Sequence, residues 1–548
     1  MWRPAILLFC LFGLPALAET ATGPRLGAAS NFGQGWQPEM LDAAEALGVR
    51  DLRDAVYWDL VEVDGRRRFG TFQTRWPDLL APRGMGTSLT VNNGHPDHDG
   101  GVTPHTPGAV AAFAGFAAAL AAQFPAADAI EVGNEMNSAV FTSGPMREAD
   151  LAGKARYYTA LLRATHGAVK AERPGMRILG GAAHSIPLAW FGALSEAGAP
   201  AWMDAAVIHP YTTPPEHLRR QVALLREVPG FETMPLEVTE FGSEDAGTAA
   251  AHFVTNYCQM ALSGVTRVVW YPLNPRGDGL VPLVDADLEV TAAGRAYRLI
   301  AERMEGRPVA DAAPDPFTYA CRFGDRALVI WGAPREVTLT GAGVRSLDAT
   351  GAPVAAPRLS REAPLVIVSE SAPVVLGGNV VLGPQAVLAD SFDQFAWPGQ
   401  PGDGFERFAR QVDEVIDWEL RGGQQRGGVP WTPYLGSARD GLLRMGADWI
   451  LPARPEAGPI EVVHRWTAPV AGAVTVEARL APAERSEDGV DATLTVNGRV
   501  LEARTVTGVA VLRHDLMLAA GDRVELSVGP GATARGDVTA FRLTISRR

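Results

Sequence analysis

Two glutamates stand in settings suited to paired acid and nucleophile work. Glu135 follows Val132-Gly133-Asn134 and precedes Met136-Asn137, and Glu240 lies in Glu237-Val238-Thr239-Glu240-Phe241-Gly242. One protonated carboxyl and one ionised carboxylate flanking an acetal carbon can split a glycosidic bond: the first protonates the leaving oxygen, the second attacks the anomeric carbon. Either glutamate alone also fits a solvated side chain or a helix cap. A second cluster, His95, Asp97, His98, Asp99 and His105, has the residue types of a metal site. Its spacing matches neither a zinc-protease helix nor a calcium loop, and it reads better as a polar loop facing substrate. Glycosidic cleavage needs no metal, so neither a metal nor another cofactor is expected.

Such chemistry needs a frame that brings distant residues to one place. Apolar strand-like segments alternate with helical ones through the first three hundred residues, the order of a βα protein. Strands are predicted over 28–32, 52–57, 87–92, 130–132, 176–180, 205–209, 236–239 and 265–270. Helices are predicted over 39–47, 109–124, 152–170, 216–228, 248–263 and 292–304. Eight strands in this span fit a closed (β/α)8 TIM barrel, where chemistry belongs at the strand C-terminal ends. An open doubly wound sheet is the rival, but no Gly-rich phosphate loop follows the first strand. The predicted strand ends collect Asn31, Arg53, Asn92, Asn93, Asn134, Glu135, His184, His209, Tyr211, Glu240, Trp270 and Tyr271. A barrel that is only a packed scaffold has no need of so many polar and aromatic groups on one rim.

Asn134-Glu135 after strand four and Thr239-Glu240-Phe241-Gly242 after strand seven resemble the catalytic signatures of clan A glycoside hydrolases, over roughly residues 28–305. The resemblance implies a retaining (β/α)8 hydrolase of β-linked glycans, with Glu135 as acid/base and Glu240 as nucleophile. It further implies Arg53 beside the nucleophile, Asn134 on the sugar 2-hydroxyl, His209 and Tyr211 as the strand-six imidazole and aromatic, and Trp270 as the floor of the central subsite. The nearest likeness is to bacterial xylosidase and iduronidase-like families, some of which cut exopolysaccharides. Arg53 is expected to keep Glu240 ionised, and the negative Glu240 to push Glu135 to a higher pKa.

The chain has 548 residues, 47% hydrophobic and 20% charged, which requires more than one core. A formal charge of -13 argues against a nucleic-acid surface. Residues 1–18 read as a secretory signal: Arg3, an apolar run, and Ala16-Leu17-Ala18 before Glu19. Cys10 lacks the small residue before it that a lipid anchor needs, and no later segment is apolar enough to span a membrane. A secreted or periplasmic protein follows, acting on a polysaccharide or oligosaccharide, and its oligomeric state is left open. Cys258 and Cys321 can pair or remain two buried thiols. After a barrel over 19–307, a small β module is expected over 308–375 and a β-sandwich over 376–548. Trp397, Trp418, Trp431, Tyr434 and Trp449 lie in its first half, as a distal glycan-stacking platform or as core. Two other functions stay open: a non-catalytic glycan-binding protein, and a transglycosylase using the same glutamates.

Overall fold

The computed structural model describes residues 21–36, 38–92, 94–424 and 429–548. The expected signal, residues 1–18, and Asn93 lie outside the described residues.

Eight parallel strands close into a barrel: β1 (Arg25–Ala29), β2 (Asp51–Ala55), β3 (Gly86–Val91), β4 (Ala127–Val132), β5 (Arg177–His184), β6 (Ala205–His209), β7 (Leu236–Phe241) and β8 (Val265–Trp270). β8 pairs with β1, which closes the ring. Each strand alternates inside and outside. Ile130, Val132, Ile178, Ala206 and Ile208 join the large core between sheet and helices, while Ala129, Leu179, Ala205 and Val207 form a separate cluster within. The helices over Glu39–Leu47, Pro107–Gln123, Leu151–Glu172, Pro215–Leu225, Ala249–Leu262 and Ala292–Arg303 follow the expected pattern, and Leu188–Glu196 adds one the sequence reading lacked. Their starts are capped where the sequence supplies a cap: the side chains of Thr106, Asp150 and Thr291 accept from Ala109, Gly153 and Gly294.

The floor of the barrel is held by charge. Arg267 lies within, its guanidinium on Asp51 (Nε to Oδ2 2.5 Å) and on the Ser88 hydroxyl at 2.8 Å, and Arg177 reaches Glu237. Buried ions of this kind tolerate burial because each is paired and hydrogen-bonded.

Two irregularities aim side chains into the opposite end. Between β5 and β6 the register runs Gly180↔Ala206, then Ala183↔Ile208, one extra residue on β5. In unbroken alternation from the inward Leu179, His184 would face the helices; the bulge turns it to the mouth. Between β7 and β8 the register runs Val238↔Val268, then Phe241↔Trp270, one extra residue on β7. Thr239 and Glu240 are consecutive, yet both project inward.

Beyond the barrel, a five-stranded sheet includes Thr318–Phe323, Ala327–Gly332 and Leu365–Ser369, beside a three-stranded sheet around Arg335–Leu339. Cys321, on the first of these strands, is disulfide-bonded to Cys258 on the helix Ala249–Leu262, with Cα atoms 5.8 Å apart. The pairing left open by the sequence is formed. The rest of the chain builds sheets of eight and six strands around one apolar core that includes Val476, Leu494, Leu526 and Ile545. Among the described residues no helix is long and apolar enough to cross a membrane.

Candidate active site

The C-terminal end of β4 turns sharply. Gly133 has φ +89, where a Cβ would lie 2.4 Å from Met136 Cγ, and Glu135 itself has φ 44. A non-glycine residue in this region is strained unless its surroundings fix it. Here the turn is fixed by Met136 N–H donating to Ala182 O at 2.8 Å and Ser138 N–H to Glu135 O at 2.8 Å. The Glu135 side chain is thereby placed over the mouth.

Arg53, from β2, organises the centre. Its Nε donates to Glu131 Oε2 at 2.7 Å, one terminal nitrogen to Glu131 Oε1 and Asn134 Oδ1 at 2.9 Å each, and the other to Glu240 Oε1. Thr239 Oγ1 donates to Glu131 Oε1 at 3.2 Å, and Tyr211 donates its phenol to Glu240 Oε2 at 3.2 Å. Burial pushes the Tyr211 phenol well above its ordinary value, with the Glu240 charge adding to it, so it remains a donor. Burial would raise the Glu131 carboxyl, but Arg53 and His209 outweigh it and hold it at about 2.

His209, from β6, is wholly buried among the carboxylates. Nδ1 lies 3.1 Å from Glu135 Oε1 and 3.7 Å from Glu240 Oε2, and Nε2 3.0 Å from Thr239 Oγ1. The Thr239 hydroxyl has one proton and gives it to Glu131, so it accepts from His209 Nε2–H. An ionised Glu135 then requires a proton on Nδ1 as well. Burial disfavours the imidazolium, yet Glu240, Glu131 and Glu135 together raise His209 to about 9. His184 Nδ1 meets the same Glu135 Oε1 at 3.0 Å. Both imidazoles thus converge on Oε1, and among the described residues Oε2 is the oxygen left to meet a substrate.

This corrects the expected electrostatics of Glu135. Burial raises its carboxyl, but the hydrogen bonds from His184 and His209 outweigh burial and hold it well below the usual range. The expectation weighed only Glu240 and omitted the two imidazoles on Glu135. One oxygen each of Glu135 and Glu240 and one nitrogen of His209 lie within 4.8 Å of one another, a spacing that could also hold a metal ion. In this arrangement Arg53 and the protonated His209 already lie among the carboxylates.

A cavity of about 260 Å³ opens beside Glu240, lined among others by Arg53, Asp54, Tyr57, Asn92, Asn134, Phe141, Tyr271 and Arg276. Asn92 is where the sequence placed it. Trp270 is not: its ring is fully buried, stacked on Phe253 at 4.4 Å, with Nε1 donating to Val281 O. Arg267 points inward on β8, so alternation sends Trp270 outward and Tyr271 into the cavity. The loop from His95 to His105 also departs from expectation. His95 bonds the Glu62 carbonyl, His98 stacks on Trp58 at 5.0 Å, and Asp99 accepts from His105 N, Thr106 N and Thr106 Oγ1. It is a packed loop that starts the helix Pro107–Gln123, not a wall of the cavity.

The barrel is similar to those of solved glycoside hydrolases. A family 39 glycoside hydrolase from the gut symbiont Bacteroides cellulosilyticus WH2 aligns over 63% of this chain and 81% of its own, at 16% identity and a TM-score of 0.52. A family 30 endoxylanase from Clostridium papyrosolvens C71 aligns over 65% and 98%, at 14% identity and 0.48. The family 39 enzyme from Xanthomonas axonopodis pv. citri aligns over 94% and 96%, at 15% identity and 0.44. No protein-family model and no curated protein matches the chain. At 16% identity the likeness to the first of these bears on the fold alone, and the chemistry rests on the side chains.

The sequence reading missed Glu131, Asp54, Phe141 and Arg276. Glu131 had a visible signal, a charge set between Ile130 and Val132 and four residues before Glu135. The five C-terminal aromatics do not form one exposed face. Trp397 is buried with its edge on Phe395, Trp418 is half-buried against the core, and Tyr434 lies under Arg444. Trp449 is half-buried, with Nε1 where a Gly446 side chain would stand. Trp431 instead reaches the barrel, its ring 4.7 Å from that of His184.

Proposed function

We propose that the chain is a retaining glycoside hydrolase that cleaves a β-linked extracellular polysaccharide or oligosaccharide by double displacement. The observation that carries this reading is one oxygen of Glu135 lying within 4.8 Å of one oxygen of Glu240, beside His209 at the mouth of the barrel. Double displacement uses carboxyls about 5–5.5 Å apart, whereas a single displacement by water needs roughly 6.5–9.5 Å.

Glu240, held by Arg53 and oriented by Tyr211, attacks the anomeric carbon, and the bond to the leaving oxygen breaks as that oxygen takes a proton from Glu135. The proton is held in the resting site between Glu135 and His209. Substrate closing over the pair excludes water and favours the neutral carboxyl. Glu135, now ionised, takes a proton from water, whose oxygen displaces Glu240 from the sugar with a second inversion. The cavity beside Glu240 has the size of one sugar ring, with Asn134 and Asn92 placed to meet its hydroxyls.

Export to the periplasm or beyond is part of the proposal. It is supported by the signal pattern of residues 1–18 and by the Cys258–Cys321 disulfide, a bond that persists in oxidising compartments.

The test is proton NMR of the first product formed from a panel of aryl β-glycosides. Release of the β-anomer supports the reading; release of the α-anomer, or no release from any member, overturns it.

A further inference from the structure

The hairpin that carries Trp431 leaves the C-terminal sheets to touch the barrel. Its flanking strands, Glu419–Arg421 and Tyr434–Gly436, pair with each other and belong to the eight-stranded sheet. Between them, Gly422 O accepts from Ala189 N at 3.1 Å, and Gln424 Nε2 donates to the carbonyl of Asn137 at 3.2 Å. Gly422 lies so close that a Cβ there would come within 2.8 Å of Ala189 N. The chain is therefore seated on the loop after β4 and on the start of the helix Leu188–Glu196, and Trp431 is held, half-buried, edge-on to His184. Tyr211 also stacks with His184, at 6.4 Å between ring centres.

The position relative to Glu135 gives this its meaning. The sugar-sized cavity is walled from β1, β2, β3, the β4 loop, β7 and β8, with Glu240 beside it. His184 stands at the end of β5 next to Glu135, with Trp431 against its ring. In a double displacement the nucleophile faces the sugar that becomes covalently bound, while the acid faces the departing group. An aromatic beside the acid offers a flat apolar face to the ring of the departing sugar.

We propose that Trp431 forms, with Tyr211 and His184, the binding shelf for the leaving-group side of the substrate, so that the C-terminal β domain completes the active site. This rests on the hydrolase reading above. The ligand class is a glycan with at least one pyranose ring beyond the cleaved bond, with one face of that ring apolar enough to stack. Trp431 is then a positioning residue that raises the rate for natural linkages, rather than part of a distant glycan-binding face.

The experiment compares two substrate types in the full chain. One is a panel of β-glycosyl fluorides of single sugars and disaccharides, whose leaving group is a single atom. The other is the corresponding set of β-linked di- to tetrasaccharides. Trp431→Ala should lose kcat/KM on the oligosaccharides at least about tenfold more than on the fluorides, the scale of one apolar ring face returned to water. Trp431→Phe, which keeps a flat ring, should recover most of that difference. Equal losses on both types would mean that Trp431 only supports His184, and no loss would mean it meets no substrate; either overturns the shelf alone. A wild type that releases fluoride from no member of the panel overturns the hydrolase reading, and the shelf with it.

Discussion

His209 places Nδ1 3.1 Å from Oε1 of Glu135, in a pocket with no solvent access to the imidazole. The contact joins a base raised to about 9 with an acid held far below its usual range, so the pair carries one proton through the neutral pH range. In the proposed mechanism, mobility of that proton between nitrogen and oxygen lets a carboxyl ionised at rest act as an acid.

The pH dependence of stability follows from the direction of the His209 shift. A raised folded-state value stabilises the protein fully below the unfolded value of 6.5, and the contribution is lost as pH rises through about 9. Its size is on the order of 3 kcal/mol. His209→Asn should therefore be less stable than wild type at neutral pH, with the gap narrowing through alkaline pH. Thermal unfolding of both proteins across that range checks this, and a gap constant with pH would contradict it.

Arg53 serves four acceptor oxygens on three residues with one planar fork, a task a lysine ammonium cannot reproduce. Arg53→Lys should lower kcat by about a hundredfold or more through a misplaced Glu240, and stability by about 2–4 kcal/mol through the uncompensated Glu131. Combining it with Glu131→Gln should restore part of the stability and none of the activity, because the Glu240 contact stays broken. Urea denaturation and steady-state kinetics on the four proteins of the cycle measure both.

The disulfide joins positions 63 residues apart and ties a barrel helix to the adjoining β module. In the chain-entropy account a loop of that length is worth about 4 kcal/mol. The double variant Cys258→Ala, Cys321→Ala should unfold at a lower temperature, with kcat little changed in the folded protein since neither residue is near the mouth. Differential scanning calorimetry with and without reductant gives the comparison.

Much of the barrel was legible because its elements announce themselves locally. The strands Ala205–His209 and Val265–Trp270 and the helix Glu39–Leu47 fall where apolar period and flanking residues place them. β5 was cut short at residue 180 because Gly180-Gly181-Ala182-Ala183 carries no strand signal; it reaches His184 through pairing with its neighbour and a bulge. The same limit explains Trp270. In a strand buried on both faces, the sequence does not say which residues point inward, and that parity is set by the partner of Arg267 across the barrel. Glu240 was identified from its setting, but its inward direction depends on a bulge that only the register reveals. Trp431 was singled out as a possible stacking residue, yet its place beside His184 depends on the packing of two domains, which no local pattern encodes.

The division of labour between Glu135 and Glu240 is tested most directly by azide rescue, with product configuration read by proton NMR. With an activated aryl β-glycoside, Glu135→Ala should still form the glycosyl-enzyme and stall, because water lacks its base; azide needs no deprotonation, so it should restore turnover and give the β-glycosyl azide. Glu240→Ala should give the α-azide by one displacement on the opposite face. The reverse pattern would exchange the two roles. Failure of azide to rescue either folded, substrate-binding variant of an active wild type would contradict the account.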